Sequence, residues 1–227
     1  MRYYSCMANT LLAGTDRKLL AELTEEALAA GNRVAVTNQA SSEAEGEPEA
    51  LKGKQSLHYI AWNPRSPLSA RTVITEAQNV LGVIDEALVV FSADTGRKEF
   101  HEMSFADLEK TVDDSIKGFF FLVKEIFAAM QRQKKGALCF AHHDGGVEVL
   151  PPGQAAASAA FRAFASSLFA QYQSEAFSLY GYYSSAVETR DFARFLSGLI
   201  GMRTEKTSRR WIKFSDKQGL FSFAKNK

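Results

Sequence analysis

The 227-residue chain is predicted to be an α/β protein: a doubly wound parallel sheet of about seven strands in a three-layer α/β/α arrangement. Three observations predict this. Short apolar runs alternate along the chain with longer segments of three–four spacing. Two runs, Ala87–Ser92 and Ala137–Ala141, are apolar throughout, as strands buried on both faces are. The length suits one large α/β domain spanning 1–227, with no internal repeat and no long linker.

The elements follow in order. Thr10–Ala13 is a short first strand. Arg17–Ala30 is a first helix, stopped by Gly31, a residue suited to the left-handed turn after a helix. Arg33–Thr37 is the second strand, and residues 40–54, rich in Ser, Glu, Gly and Lys, are a loop. Gln55–Trp62 is the third strand. Pro64 and Pro67 break the chain before a helix at Leu68–Leu81. After the strand Ala87–Ser92 comes the longest helix, Phe105–Arg132. Its stripe is Leu108, Val112, Ile116, Phe119, Val123, Ile126 and Met130, widened by Phe120, Phe121 and Phe127. The strand Ala137–Ala141 leads to an Ala-rich helix, Gln154–Tyr172, with Phe161, Phe164, Leu168 and Tyr172 on one side. Phe177–Tyr183, Glu188–Leu199 and Arg210–Phe214 are strand, helix and last strand.

Composition excludes several functions. A hydrophobic content of 46% with 23% charge is that of an ordinary soluble domain. The net charge of +1 gives no field for nucleic acid or an anionic membrane. The run Glu43–Glu49 and the basic stretch Arg203–Lys227 read as solvated surface. No apolar stretch reaches the roughly 18 residues of a membrane span. The start, MRYYSCMANTLL, lacks the pattern of a signal peptide, and Met7 is a candidate alternative start. Two cysteines, Cys6 and Cys139, make no disulfide framework, so a cytoplasmic location is expected.

Three segments carry a resemblance. Ile84–Asp94 (IDEALVVFSAD), Val112–Phe121 (VDDSIKGFFF) and Gly136–His143 (GALCFAHH) fall in the order and spacing of the short-chain dehydrogenase/reductase family, and the likeness runs over nearly the whole chain. It implies a Rossmann-like fold and NAD or NADP as cofactor. The family's T-G-x-x-x-G-x-G turn corresponds to Ala13–Leu20, where only Gly14 survives and Lys18 and Leu20 replace the other glycines. Those glycines let backbone N–H groups approach a pyrophosphate, so the side chains of Lys18 and Leu20 are expected to fill that space. Lys18 could instead pair with a phosphate. Asn38 and Gln39 stand where a ribose or 2′-phosphate would be read, and N-N-A-G becomes Phe91–Asp94, with Ser92 near the cofactor and Asp94 repelling it. The cofactor candidates are thus Gly14, Lys18, Asn38 and Ser92.

The resemblance also places the catalytic positions. The family's Asn, Ser, Tyr and Lys map to Ser115, His143, Gln154 and Ser158. A phenol has a pKa near 10 and needs a cation one helical turn away to work at neutral pH. The helix from Gln154 to Gln173 holds no lysine, and its one tyrosine, Tyr172, is far along it. The loop after the sixth strand also looks too short for the family's lid.

Other chemistry is weakly signalled. His142, His143 and Asp144 sit at the carboxyl edge of the sheet with Tyr182 and Tyr183 beside them, a candidate acid–base group. The simpler reading is a polar loop whose adjacent side chains point in different directions; two neighbouring histidines cannot easily converge on one metal ion, and no third ligand is spaced for it. Cys139, mid-strand, makes a poor nucleophile. The leading expectation is a non-catalytic subunit on the family's frame, without a dinucleotide. Its partner is a second copy or an active paralogous reductase, joined through helices 105–132 and 154–172. The alternative is a divergent NAD(P)-dependent oxidoreductase that uses His143 or Tyr183 as its acid. A third reading is a sensor that binds a small ligand at the same edge without turnover.

Overall fold

The computed structural model describes residues 7–39, 55–92, 99–200 and 208–214. The acidic run at 43–49, Cys6, Asp94 and the segment after 214 lie outside the described residues. The strands are β1 (Asn9–Gly14), β2 (Arg33–Gln39), β3 (Leu57–Trp62), β4 (Glu86–Ser92), β5 (Ala137–His143), β6 (Ser178–Ser184) and β7 (Trp211–Lys213). They form one sheet in the order β3-β2-β1-β4-β5-β6-β7, parallel throughout. The order reverses between β1 and β4, so the carboxyl ends of those two strands flank the switch point where open α/β sheets bind ligands.

The helices are α1 (Arg17–Ala29), α2 (Pro67–Leu81), α3 (Phe105–Val112), α4 (Gly118–Gln133), α5 (Pro152–Gln171) and α6 (Arg190–Gly198). On one face α1 and α6 bury Leu19, Leu20, Leu23, Phe192 and Leu196 against Leu12, Val34, Leu88 and Tyr182. On the other, α2, α4 and α5 bury Val73, Phe119, Ile126 and Phe161 against Leu11, Val89, Phe91 and Phe140. Burying an aromatic or branched side chain contributes about 1.5–3 kcal/mol, so these two slabs are the main source of stability.

Three expectations need correcting. The segment 105–132 is helical throughout but not a uniform α-helix: Asp113–Lys117 form a π-turn between α3 and α4. The stripe breaks there, since α3 buries no residue and Val112 is 45% exposed. Just past this turn, a Cβ added to Gly118 would come within 2.5 Å of Pro64. The chain must pass that close to the α2 entry. Secondly, α5 begins at Pro152 rather than Gln154, because proline is well suited to a first helical position. Thirdly, β3 begins at Leu57, not Gln55. Gly31, by contrast, has the expected positive φ of 85° just after α1.

Candidate functional site

At the switch point, the turn after β1 is already committed. The Gly14 N–H donates to the Thr37 hydroxyl at 3.2 Å. A Cβ on Gly14 would collide with the Val90 carbonyl of β4, so the strand pairing alone demands glycine here. Asp16 caps α1, its carboxylate accepting from the Leu19 N–H at 2.9 Å. Sequence reasoning passed over Asp16, although aspartate directly before a helix is a strong capping signal. It puts a negative charge at the end of α1 that favours an anion.

Lys18 does not fill the turn, contrary to the steric expectation. It is exposed and reaches Glu188, 3.5 Å away in the link between β6 and α6. Only Leu20 turns inward, into the core beneath. That link is residues 185–189, too short for a long lid. Asn38 is half-buried near the end of β2, opposite Ala61 of β3.

At the carboxyl edge of β5 the two histidines diverge, as alternation along a strand requires. His143 faces the α1–α6 side of the sheet. Its Nε2 donates to the Ala186 carbonyl at 2.7 Å, and its Nδ1 lies 3.1 Å from the Ser92 hydroxyl. A carbonyl can only accept, so Nε2 carries a proton toward Ala186. Both nitrogens are occupied in tying β4, β5 and the 185–189 link together. Asp144 does not orient either ring; its carboxylate accepts from the Gly146 N–H and the Ser185 hydroxyl.

His142 faces α5. Its ring stacks on Phe91 with centroids 5.5 Å apart, and its Nε2 lies 2.7 Å from the Ser158 hydroxyl. It is 2% exposed, and its Nδ1 has no partner among the described residues. Burial, reinforced by the nearby Arg162 charge, lowers its pKa from 6.5 to about 4. It is therefore neutral at physiological pH.

The inward face of α5 carries Ala157, Ser158, Phe161, Ala165 and Phe169. Phe161 packs on Phe91, Phe119 and Phe140 at 5.1, 5.2 and 5.8 Å. Gln154 is half-buried in the first turn, and Ser115 is half-buried in the π-turn. Tyr183 is half-buried at the end of β6, with the Arg162 guanidinium 4.5 Å from its ring centre. Arg162 is the second residue sequence reasoning missed. Its partners, Tyr183 and Trp211, are distant in the chain, so no local pattern could signal it. Burial pushes the Cys139 thiol up, which leaves it inert. Among the described residues no group of three or more His, Cys, Asp or Glu could hold a metal, and no helix is long and apolar enough to cross a membrane.

The family model described as short chain dehydrogenase matches residues 9–194. The chain belongs to the short chain dehydrogenase family. Members of this family typically bind NAD(P). Solved structures share the fold. A protein assigned as a 3-oxoacyl-reductase of Bacillus thuringiensis superposes with a TM-score of 0.70 at 17% identity, covering 91% of this chain and 96% of its own. The protein gox2181 gives 0.74 at 13% identity, covering 92% and 95%. A short chain dehydrogenase of Leptospira borgpetersenii serovar Hardjo-bovis, solved with bound NAD+, gives 0.68 at 14%, covering 81% and 74%. No curated protein matches the sequence.

Proposed function

We propose that this short chain dehydrogenase is a non-catalytic member of its family, acting as a subunit of a homo- or hetero-oligomer. One observation carries the reading: the inward face of α5 is Ala157, Ser158, Phe161, Ala165 and Phe169, sealed against a neutral His142. A phenol beside an ammonium has no counterpart there. Whichever register relates this helix to the family's, its inward positions offer neither residue.

The residues around the first turn do not fit a dinucleotide diphosphate either. The Gly14 N–H is used by Thr37, and Asp16 sets a carboxylate where the helix end would receive phosphate. Lys18, the cation expected to pair with a phosphate, is drawn away to Glu188. Asp16 repels a diphosphate brought to this turn.

An assembly role is supported by the outward side of α5. From Ala155 to Ala170 its exposed positions are Ala155, Ala156, Ala159, Ala163, Ser166, Ser167 and Ala170, without a charge for four turns. Phe120 of α4, 38% exposed, packs beside it on Phe164 at 4.5 Å. Small residues let a second helix approach closely, and the adjoining ring supplies apolar area.

The alternative is a divergent NAD(P)-dependent oxidoreductase. His143 serves it poorly, with both nitrogens engaged, so that reading now rests on Tyr183. One experiment separates the two: calorimetric titration of the purified protein with NADH and NADPH, followed by turnover assays on a panel of aldehydes and ketones. The proposal expects no binding at about 1 mM cofactor, a level at which any affinity of about −4 kcal/mol or tighter is detected. Micromolar binding with reduction of any carbonyl compound overturns it. Light scattering after size-exclusion tests assembly: an oligomer that Ala163→Glu dissociates supports the α5 surface, and a monomeric protein that also fails to associate with any active family member from its own cell removes it.

A further inference from the structure

Register across four strands places Phe91, His142, Tyr183 and Lys213 in one row, all on the α5 side of the sheet. Trp211, two residues before Lys213, shares that side and covers Gly181, where a Cβ would lie 2.9 Å from the indole. Its indole N–H donates to the Ser166 hydroxyl of α5 at 3.0 Å, which fixes the ring. Into this bracket α5 lowers Arg162, 4.5 Å from the Tyr183 ring centre and 5.4 Å from that of Trp211.

Arg162 has no carboxylate partner among the described residues. Arg65, by contrast, pairs with Asp114, and Arg190 with Glu25. A half-buried guanidinium is costly to leave unpaired, and its cost rises as water is excluded. The two rings draw the charge to their faces, and the N–H groups of a guanidinium lie in one plane. That plane is the geometry that takes a carboxylate through two parallel hydrogen bonds. Lys213 adds a second positive charge to the row.

We propose that Arg162, bracketed by Tyr183 and Trp211, is a binding site for a small organic carboxylate whose apolar body lies against the exposed parts of the two rings. The site stands apart from the first strand–helix turn, and its Tyr183 wall is the residue on which the alternative, oxidoreductase reading rests. It lies near the carboxyl end of β6, where ligand binding in parallel sheets is usual. His142 reports on it. The groups that set its protonation are Arg162 from α5, and Asp144 and His143 from its own strand end. An anion on Arg162 cancels the repulsion that helps keep His142 neutral, so occupancy raises the histidine's affinity for a proton.

The test uses the two indole N–H signals in the amide correlation spectrum of the intact protein. Trp211 lies in the bracket, and Trp62, buried beneath α2, serves as the internal control. Benzoate is the probe. The expected result is a saturable shift of the Trp211 signal with a Kd on the order of 1 mM and no movement of Trp62. Arg162→Lys keeps the charge without the planar fork and should weaken binding about tenfold. Arg162→Met should abolish the response, with an unmoved Trp62 signal showing that the variant is folded. Three results overturn the proposal: no shift in the wild type at about 50 mM benzoate, an undiminished shift in Arg162→Met, or an equal shift from inorganic phosphate or chloride. The last is what a guanidinium that merely shields two rings from water would give.

Discussion

Replacing His142 and Ser158 together, as His142→Phe with Ser158→Ala, tests the claim that the centre of the site is core rather than machinery. His142 is 2% exposed, with Nδ1 unpartnered among the described residues and Nε2 on the Ser158 hydroxyl. Removing both partners of a buried hydrogen bond is close to neutral, whereas removing one leaves a group that costs about 1–3 kcal/mol. The sharper prediction concerns pH. The folded ring titrates at about 4, while an unfolded one titrates near 6.5. Between those values the unfolded chain binds a proton that the folded chain refuses. Wild-type stability is therefore lost as pH falls through that window, and is fully present above it. Linkage with these two values gives about 2 kcal/mol lost between pH 7 and pH 5 from this group alone. Urea unfolding of both proteins at pH 7, 6 and 5 isolates it, because every other titrating group is common to the pair. The double variant should gain about 2 kcal/mol on the wild type across that range. A difference that stays constant within about 0.5 kcal/mol would show that His142 is solvated or charged in the folded protein, and the reasoning would be refuted.

Other outcomes follow from the same structure. Gly14→Ala drives a methyl into the Val90 carbonyl and should cost about 1–3 kcal/mol in thermal or urea unfolding, with or without added dinucleotide. Lys18→Ala breaks only an exposed ion pair with Glu188, so its melting temperature should stay within about 2 °C of wild type. Installing the family's pair as Gln154→Tyr with Ser158→Lys should lower the melting temperature by several degrees and yield no carbonyl reduction. The new ammonium would be buried beside His142 and near the Arg162 charge. Asp16→Asn keeps the α1 cap while removing its charge. If that charge is what repels a diphosphate, calorimetry should detect NADH binding that the wild type lacks.

Much of the frame was readable because burial leaves a mark in the sequence. Strands β4 and β5 are covered on both faces, so their runs are uninterrupted, and Gly31 ends α1 because its positive φ suits glycine. The break at Asp113–Lys117 was not readable. Val112, Ile116 and Phe119 keep three–four spacing, and nothing local reveals that Gly118 must pass close to Pro64. The site divided in the same way. Divergence of His142 and His143 was expected of a loop, whereas it comes from strand alternation, because β5 runs on to His143. The direction of Lys18 depends on Glu188, 170 residues away, and the bracket around Arg162 depends on β6 and β7 arriving beside α5. Distances of that kind in the chain leave no periodic trace.

The widened turn between α3 and α4 has an evolutionary consequence. A π-turn holds one residue more than the tighter helix would use over the same rise, as though a codon had been slipped into an older, straighter rod. Losing any one codon within 113–117 would let the rod close and swivel α3 by about 100° relative to α4. Phe105, 86% exposed, would swing to another side of the molecule while the sheet stayed intact. A single deletion at that place could redirect which neighbour the protein meets without touching its core.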